Sequence, residues 1–153
     1  MSTVSFFVAG VPVPQGSMRA FMPKGGHFPV VTADNKGMLP WRQRIATEAQ
    51  RAMEGRAPFL VPVSVAAQFH LPRPKSRPKR DLFPDRKPDV DKLARAVLDS
   101  LTGIVFRDDA QVCSLFVVKH YARGATGVEV SIYDLAESPG LSTPRLTSPL
   151  LGA

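Results

Sequence analysis

The sequence predicts a single domain that contains both helices and strands. Its length of 153 residues fits one domain with a sizeable core. Short runs rich in Val and Phe predict strands near the start, in the middle and towards the end of the chain. Two other stretches repeat apolar residues at the spacing of an amphipathic helix. Residues 136–153 are rich in Ser and Pro and lack periodicity, which predicts a flexible tail after a domain of residues 1–135.

The first half of the chain is expected to place one helix between strands. Residues 4–11 predict a buried first strand, and residues 59–71 predict a second strand rich in Val and Phe. Residues 15–37 are loop-like, with one short edge strand possible over 28–32. A helix is predicted over residues 39–53, with Pro40 in its first turn and Gly55 at its end. Its buried face is expected to carry Trp41, Ile45, Ala49 and Met53.

The second half of the chain predicts one helix followed by two strands. Asp91 is the expected N-cap of the helix and Gly103 the residue just beyond its end. The apolar stripe of this helix consists of Leu93, Ala96, Val97, Leu101 and Ile104. Strands are expected over 111–121 and 127–133, with residues 123–127 as a hairpin turn between them.

The composition favours a polyanionic partner. Twenty Lys and Arg against thirteen Asp and Glu give a net charge of +7, which points to nucleic acid ahead of a membrane surface. The one cysteine, Cys113, excludes an internal disulfide and a zinc site built on several cysteines, and its apolar surroundings predict a small core residue. No apolar run reaches membrane-spanning length and no signal segment is present, which predicts a cytoplasmic protein.

Residues 73–87, here named the basic arm, combine prolines with a concentration of positive charge. The prolines oppose regular structure. The arm is expected to grip phosphates, and a disordered charged linker is the alternative. The candidate DNA-binding residues are Arg73, Lys75, Arg77, Lys79, Arg80, Arg86 and Lys87.

Two pairs of aspartates bracket the second helix in this otherwise basic chain. Asp89 and Asp91 stand where the helix should begin, and Asp108 and Asp109 follow it. Hard cations such as Mg²⁺ prefer carboxylate oxygens, so the two pairs are candidates to close on one metal ion. Helix capping and turn formation are the alternative roles of each pair.

Arg95 and Asp99 lie at four-residue steps from Asp91, on the same face of the predicted helix. Arg95 is a candidate to reach the scissile phosphate, with Asp99 holding it in place. An exposed salt bridge worth a few tenths of a kcal/mol is the alternative.

These residues resemble a known family. The segments Lys87–Leu93, Ala96–Leu101 and Asp108–Val112, with Gly103 between them, are similar to the signature of RusA-type Holliday junction resolvases. The resemblance implies an α+β fold with two main helices packed against a mixed sheet of about four to five strands. It also implies a homodimer that acts on four-way DNA junctions in recombination and repair, nucleoid-associated or phage-encoded in a bacterial host.

The resemblance assigns roles to individual residues. It implies that Asp89, Asp91 and Asp109 bind Mg²⁺, while Asp108 matches an acidic neighbour of less defined role. The family commonly has a functional lysine where this chain has Arg95, and many members have asparagine where it has Lys92. Arginine keeps the charge but cannot transfer a proton, so Lys92 is a candidate substitute.

The first functional hypothesis is a Mg²⁺-dependent endodeoxyribonuclease that resolves Holliday junctions by paired, symmetric nicks. Phosphodiester hydrolysis by in-line attack of water would leave 5′-phosphate ends. A broader branched-DNA or flap endonuclease of phage type is a variant, and a non-catalytic basic DNA-binding protein is the alternative from another class. A nucleotide-sugar transferase is rejected, because the chain is too small and its sequence predicts no nucleotide-binding domain.

Overall fold

The computed structural model describes residues 2–16, 18–33 and 37–137. Within these ranges the chain forms six strands and two α-helices. In chain order they are β1 (Thr3–Ala9), β2 (Met18–Phe21), β3 (Val30–Ala33), α1 (Met38–Met53), β4 (Val63–Leu71), α2 (Val90–Leu101), β5 (Val112–Tyr121) and β6 (Gly127–Asp134). A 3₁₀ turn at Asp109–Gln111 precedes β5. The predicted tail lies outside the described residues from position 138 onwards.

Four of the strands form one mixed sheet in the order β1-β6-β4-β5. β4 runs parallel to β5 and antiparallel to β6, and β1 is antiparallel to β6. Apolar residues alternate along β6, and in β4 the alternate residues Val63, Val65, Ala67 and Phe69 face the core, as strands with one face towards the core require. The predicted α+β fold with a mixed sheet is therefore confirmed.

Both helices cover the same face of the sheet and meet each other over the core. α1 packs on β1 and on α2, while α2 also contacts β5. The predicted stripe of α1 is buried as expected, and so are Leu93, Ala96, Val97 and Leu101 of α2. Burial of these apolar faces, at about 25 cal/mol per Å² removed from water, is what holds the two layers together. Among the described residues, no helix has the length and apolar character needed to cross a membrane.

The predicted hairpin between the last two strands is wrong. β5 and β6 are not neighbours, because β4 lies between them and pairs with both. The loop of residues 122–126 therefore crosses the end of β4 to connect β5 with β6. Those two strands are about 10 Å apart, because one strand lies between them. A short loop between two apolar strands does not itself distinguish direct pairing from this crossing.

Three local expectations also change. Residues 15–37 contain the strand pair β2 and β3 rather than a loop with one strand. Helix α2 begins at Val90 with Asp89 as its N-cap, so Asp91 is a first-turn residue and not the cap. Cys113 is exposed rather than in the core, next to the irregularity where the register between β4 and β5 shifts. Gly103 does lie just beyond the C-cap, with a φ of 84° that favours glycine, as predicted.

Candidate active site

The start of α2 presents two exposed carboxylates. Asp89 has extended backbone (ψ 137°) and its side chain makes no capping hydrogen bond, so its oxygens are left for other partners. Asp91 follows in the first helical turn and is also exposed. The positive end of the helix dipole lies at this terminus and stabilises negative charge there. Lys92 Nζ lies 3.6 Å from Asp89 Oδ2, which places a cation beside the first carboxylate.

Lys119 of β5 fixes the segment that leads into this site. Its ammonium donates hydrogen bonds to the carbonyl oxygens of Arg86 (2.6 Å) and Pro88 (2.9 Å). A second tie joins Gln15 N–H to the carbonyl oxygen of Lys92 at 3.0 Å. The position of Asp89 is therefore set from the edge strand as well as from its own helix. Lys119 was not among the residues predicted to form the site, and its one signal in the sequence is that β5 contains no other Lys, Arg, Asp or Glu.

The basic arm is folded, and two of its seven cations hold it together. Arg73 donates to the carbonyl oxygens of Pro78 (2.6 Å) and Asp81 (2.5 Å), and its guanidinium carbon lies 4.7 Å from the ring centre of Tyr121. Arg77 pairs with the carboxylate of Asp85 at 2.6 Å. The alternative of a disordered linker is not what the structure shows, because these contacts order the arm from within.

The remaining cations of the arm point to solvent. They are exposed and form no ion pair with any residue that the structure describes. They leave a concentrated positive surface directly before α2, and the arm also lines a cleft of about 300 Å³ that includes Pro88. This group, here named the free arm cations, consists of Lys75, Lys79, Arg80, Arg86 and Lys87.

The second acidic pair is divided between two roles. Asp108 Oδ1 accepts a hydrogen bond from Ala110 N–H at 2.9 Å and so caps the 3₁₀ turn. Gln111 completes the cap, since its Oε1 accepts from Asp108 N–H at 2.9 Å. The Gln111 amide also donates hydrogen bonds to the carbonyl oxygens of Phe59 and Val61. These bonds connect the turn to the segment that precedes β4. Asp109 is exposed and its carboxylate takes no part in this cap.

Arg95 and Asp99 do not form the predicted salt bridge. Arg95 is exposed, Asp99 is half-buried, and within the described ranges neither is ion-paired. The guanidinium of Arg95 therefore extends from α2 one turn after Asp91, available to an anionic partner.

The two acidic pairs lie at opposite ends of α2. The helix has 12 residues and is therefore about 18 Å long. Its start is tied to Lys119 near the end of β5, whereas Asp109 stands before the beginning of that strand. The intervening residues of β5 span about 23 Å.

This separation keeps the three candidate ligands apart within one chain. Among the described residues, no group of three or more His, Cys, Asp or Glu side chains is placed to hold a metal ion. Asp89 and Asp91 alone supply two carboxylates, fewer than the three expected. Within the described part of one chain, the donors that lie together for the implied Mg²⁺ ion are therefore Asp89 and Asp91.

Two histidines lie on neighbouring strands close to Lys119. The rings of His70 and His120 are in an edge-to-face arrangement with centroids 4.3 Å apart, and His70 Nε2 lies 4.0 Å from Glu129 Oε2. Burial lowers the pKa of His70 below its ordinary 6.5, and the neighbouring His120 lowers it further. The ring of His70 contacts those of Phe7 and His120, so it packs as part of the sheet surface.

An acidic helix start beside a folded basic arm is the arrangement expected of a nuclease that binds a nucleic-acid backbone. A family model described as "Endodeoxyribonuclease RusA" matches residues 10–133 and so covers most of the chain. The chain belongs to the RusA endodeoxyribonuclease family, as the resemblance in the sequence predicted.

One curated relative is similar over nearly its whole length. It is the "Uncharacterized protein YqaN" of Bacillus subtilis (strain 168), 31% identical over 148 residues. The match covers 89% of this chain and 99% of the relative. The relative therefore shares the whole domain, but its name indicates no activity.

Proposed function

We propose that this protein is a divalent-metal-dependent endodeoxyribonuclease that resolves Holliday junctions by paired, symmetric nicks. The observation that carries the proposal is the exposed Asp89 and Asp91 at the start of α2, next to the free arm cations, in a chain of the RusA endodeoxyribonuclease family. Proposed with it are a homodimeric state, a role in DNA recombination and repair, and action in the cytoplasm on nucleoid or phage DNA.

The free arm cations are proposed to bind the DNA backbone. Contacts to phosphates fix the register of a protein on a duplex without reading its sequence. Because Arg73 and Arg77 are engaged within the arm, they support its shape, and the five exposed cations make the contacts. The arm leads directly into α2, and Lys87 precedes Asp89 by two residues. A phosphate bound by Lys87 would therefore lie close to the carboxylate of Asp89.

Asp89, Asp91 and Asp109 are proposed as the oxygen ligands of the cation, with Mg²⁺ the expected metal. Arg95 is proposed to stabilise the negative charge of the scissile phosphate, because its guanidinium extends beside Asp91 without an ion pair to a described residue. Lys92 pairs with Asp89 and is the one lysine of α2 close enough to take over the role of the family lysine.

A synthetic four-way junction tests the proposal, incubated with the protein in Mg²⁺ and in EDTA. Paired nicks at symmetric positions in Mg²⁺ alone, sealed again by DNA ligase, are the expected result, because ligase requires 5′-phosphate ends. Asp91→Asn should abolish cutting but keep junction binding. Absence of metal-dependent cutting of any branched substrate would leave a non-catalytic DNA-binding protein.

Substrate preference is tested in the same assay. A flap and a linear duplex of equal length are run beside the junction. Preferential cutting of the flap would replace junction resolution by the broader branched-DNA activity, while cutting of the linear duplex at equal rate would remove the structure selectivity altogether.

A further inference from the structure

The arm cleft, our name for the cleft of about 300 Å³ beside the basic arm, has an apolar interior. Its buried lining residues are Pro12, Leu71, Pro84 and Tyr121. Further prolines form its walls, among them Pro74 and Pro88. An apolar interior of this size favours a flat, uncharged group over a charged one, because a charge would lose its hydration there.

The arm cleft is preformed, because contacts within the folded chain hold its walls apart. Tyr121 N–H donates a hydrogen bond to the carbonyl oxygen of Leu82 at 2.9 Å, which ties the arm to the end of β5. The guanidinium of Arg73 lies over the Tyr121 ring. Arg77, which also lines the cleft, is held by the carboxylate of Asp85 at 2.6 Å. A ligand that enters the cleft therefore needs little ordering of the arm, and this favours binding.

The mouth of the arm cleft is positively charged. Arg86 and Lys87, two of the free arm cations, line the cleft and are exposed. Ser76 adds an exposed hydroxyl, which can donate or accept a hydrogen bond at the edge of a base. An apolar interior with a cationic mouth complements a nucleotide, since the base is uncharged and the phosphate is anionic.

The arm cleft adjoins the first carboxylate of the candidate active site. Pro88 lines the cleft, and Asp89 is the next residue of the chain. Lys119 fixes this boundary, because its ammonium donates a hydrogen bond to the carbonyl oxygen of Pro88 at 2.9 Å. A phosphate held beside Asp89 therefore has the base of a neighbouring nucleotide within reach of the cleft.

We propose that the arm cleft receives the unstacked base of a nucleotide that adjoins the scissile phosphate. The inference rests on the proposed function and deepens it, because it gives that site a means of selecting branched DNA. A base within a linear duplex must first be unpaired and unstacked, which costs free energy. The cost is smaller where pairing is already disrupted, as at a branch point. The cleft therefore favours cutting beside a branch over cutting within a continuous duplex.

Abasic nucleotides test whether a base is bound during cutting. The nicks made by the wild-type protein are first mapped on a synthetic four-way junction. Two further junctions then carry one abasic site each, on the 5′ or the 3′ side of the nick. One of the two should be cut about 10-fold more slowly in single turnover, because one stacking contact is lost while every phosphate remains. Equal rates on all three junctions would overturn the inference.

Ser76→Leu tests whether the arm cleft is the place where this base binds. The larger side chain narrows the mouth without a change in charge, so the variant should cut the intact junction about 10-fold more slowly and lose its response to the abasic site. Gln50→Leu is the matched control, because Gln50 is exposed on α1 and does not line the cleft. It should behave as the wild type does. If the effects of Ser76→Leu and of the abasic site multiply, the base binds elsewhere and the inference is wrong.

Fluorescence gives a readout that does not depend on cleavage. The fluorescent base 2-aminopurine is placed at each nucleotide that flanks the branch point, and protein is added in EDTA so that no strand is cut. At one position the emission should rise on binding, because stacking on neighbouring bases quenches this fluorophore. Ser76→Leu should bind the junction without the rise, and Gln50→Leu should show it.

The fluorescence result also separates this inference from the proposed function. A junction that is bound without a rise at any position, or a rise that Ser76→Leu retains, would refute base binding in the arm cleft. If the wild-type protein shows the rise but cuts no branched DNA in Mg²⁺, the proposed function fails and base binding stands.

Discussion

Asp108 and Gln111 cap one 3₁₀ turn reciprocally, and this separates the roles of two adjacent aspartates. Asp108 accepts from the backbone of the turn, and Gln111 accepts from Asp108 N–H at 2.9 Å. The neighbouring carboxylate, that of Asp109, is left exposed outside the cap. The structure therefore provides a physical distinction that the Asp-Asp pair in the sequence does not.

Replacement of these two aspartates should have opposite consequences. Asp108→Ala is expected to lower the free energy of unfolding by about 1 kcal/mol, the usual cost of a lost cap, and to retain cutting. Asp109→Asn should leave stability within about 0.5 kcal/mol of wild type and reduce the cleavage rate about 100-fold or more. Urea unfolding and single-turnover junction cleavage measure the two effects. Loss of cleavage in Asp108→Ala with full activity in Asp109→Asn would reverse the assignment.

Lys119→Met should loosen the segment before α2. The substitution removes the donor from the carbonyl oxygens of Arg86 and Pro88, and charge-assisted hydrogen bonds of this kind contribute about 1–3 kcal/mol. We expect a lower free energy of unfolding together with slower cutting at saturating Mg²⁺. Lys79→Met is the control, since Lys79 is an exposed arm residue and its loss should weaken DNA binding without changing stability. Equal stability of both variants would show that Lys119 does not position the site.

The free arm cations should determine the salt dependence of DNA binding. If about six phosphates are contacted, affinity should fall roughly 10³-fold between low and physiological salt. A triple variant, Lys75→Gln with Lys79→Gln and Arg80→Gln, should reduce the slope of log K against log salt by about 3. Arg51→Gln serves as control, because Arg51 lies on α1 and pairs with Glu48. A slope unchanged by the triple variant would remove the arm from the interface.

His70 should make stability depend on pH in the weakly acidic range. Burial lowers its pKa in the folded chain below 6.5, so between the two pKa values the unfolded state binds more protons. The free energy of unfolding is then expected to fall as the pH drops from about 6.5 through the folded-state pKa. Urea unfolding between pH 5 and 7.5 should show a shallower fall in His70→Gln. His27→Gln, at an exposed position, should keep the wild-type slope, and identical slopes in all three proteins would contradict this account.

The positions of the helices and strands could be predicted from the sequence. Periodicity and caps predicted both helices and the strands β1, β4, β5 and β6 to within a few residues, because burial of a stripe or an alternating face is encoded at short range. The D-x-D of Asp89 and Asp91, the basic arm and the second acidic pair were likewise visible, since the ligand chemistry of carboxylates and ammonium groups needs no tertiary information.

Only the tertiary structure decided how these parts are arranged. It placed β4 between β5 and β6, made β5 an edge that exposes Cys113, and gave Lys119 its role beside Pro88. It also set the acidic pairs at opposite ends of α2, about 18 Å apart along the helix. Strand order and the distance between sites depend on contacts far apart in sequence, which no local pattern contains. For the same reason, the sequence predicted that both acidic pairs would meet at one metal ion, whereas no such group of three carboxylates forms among the residues that the structure describes.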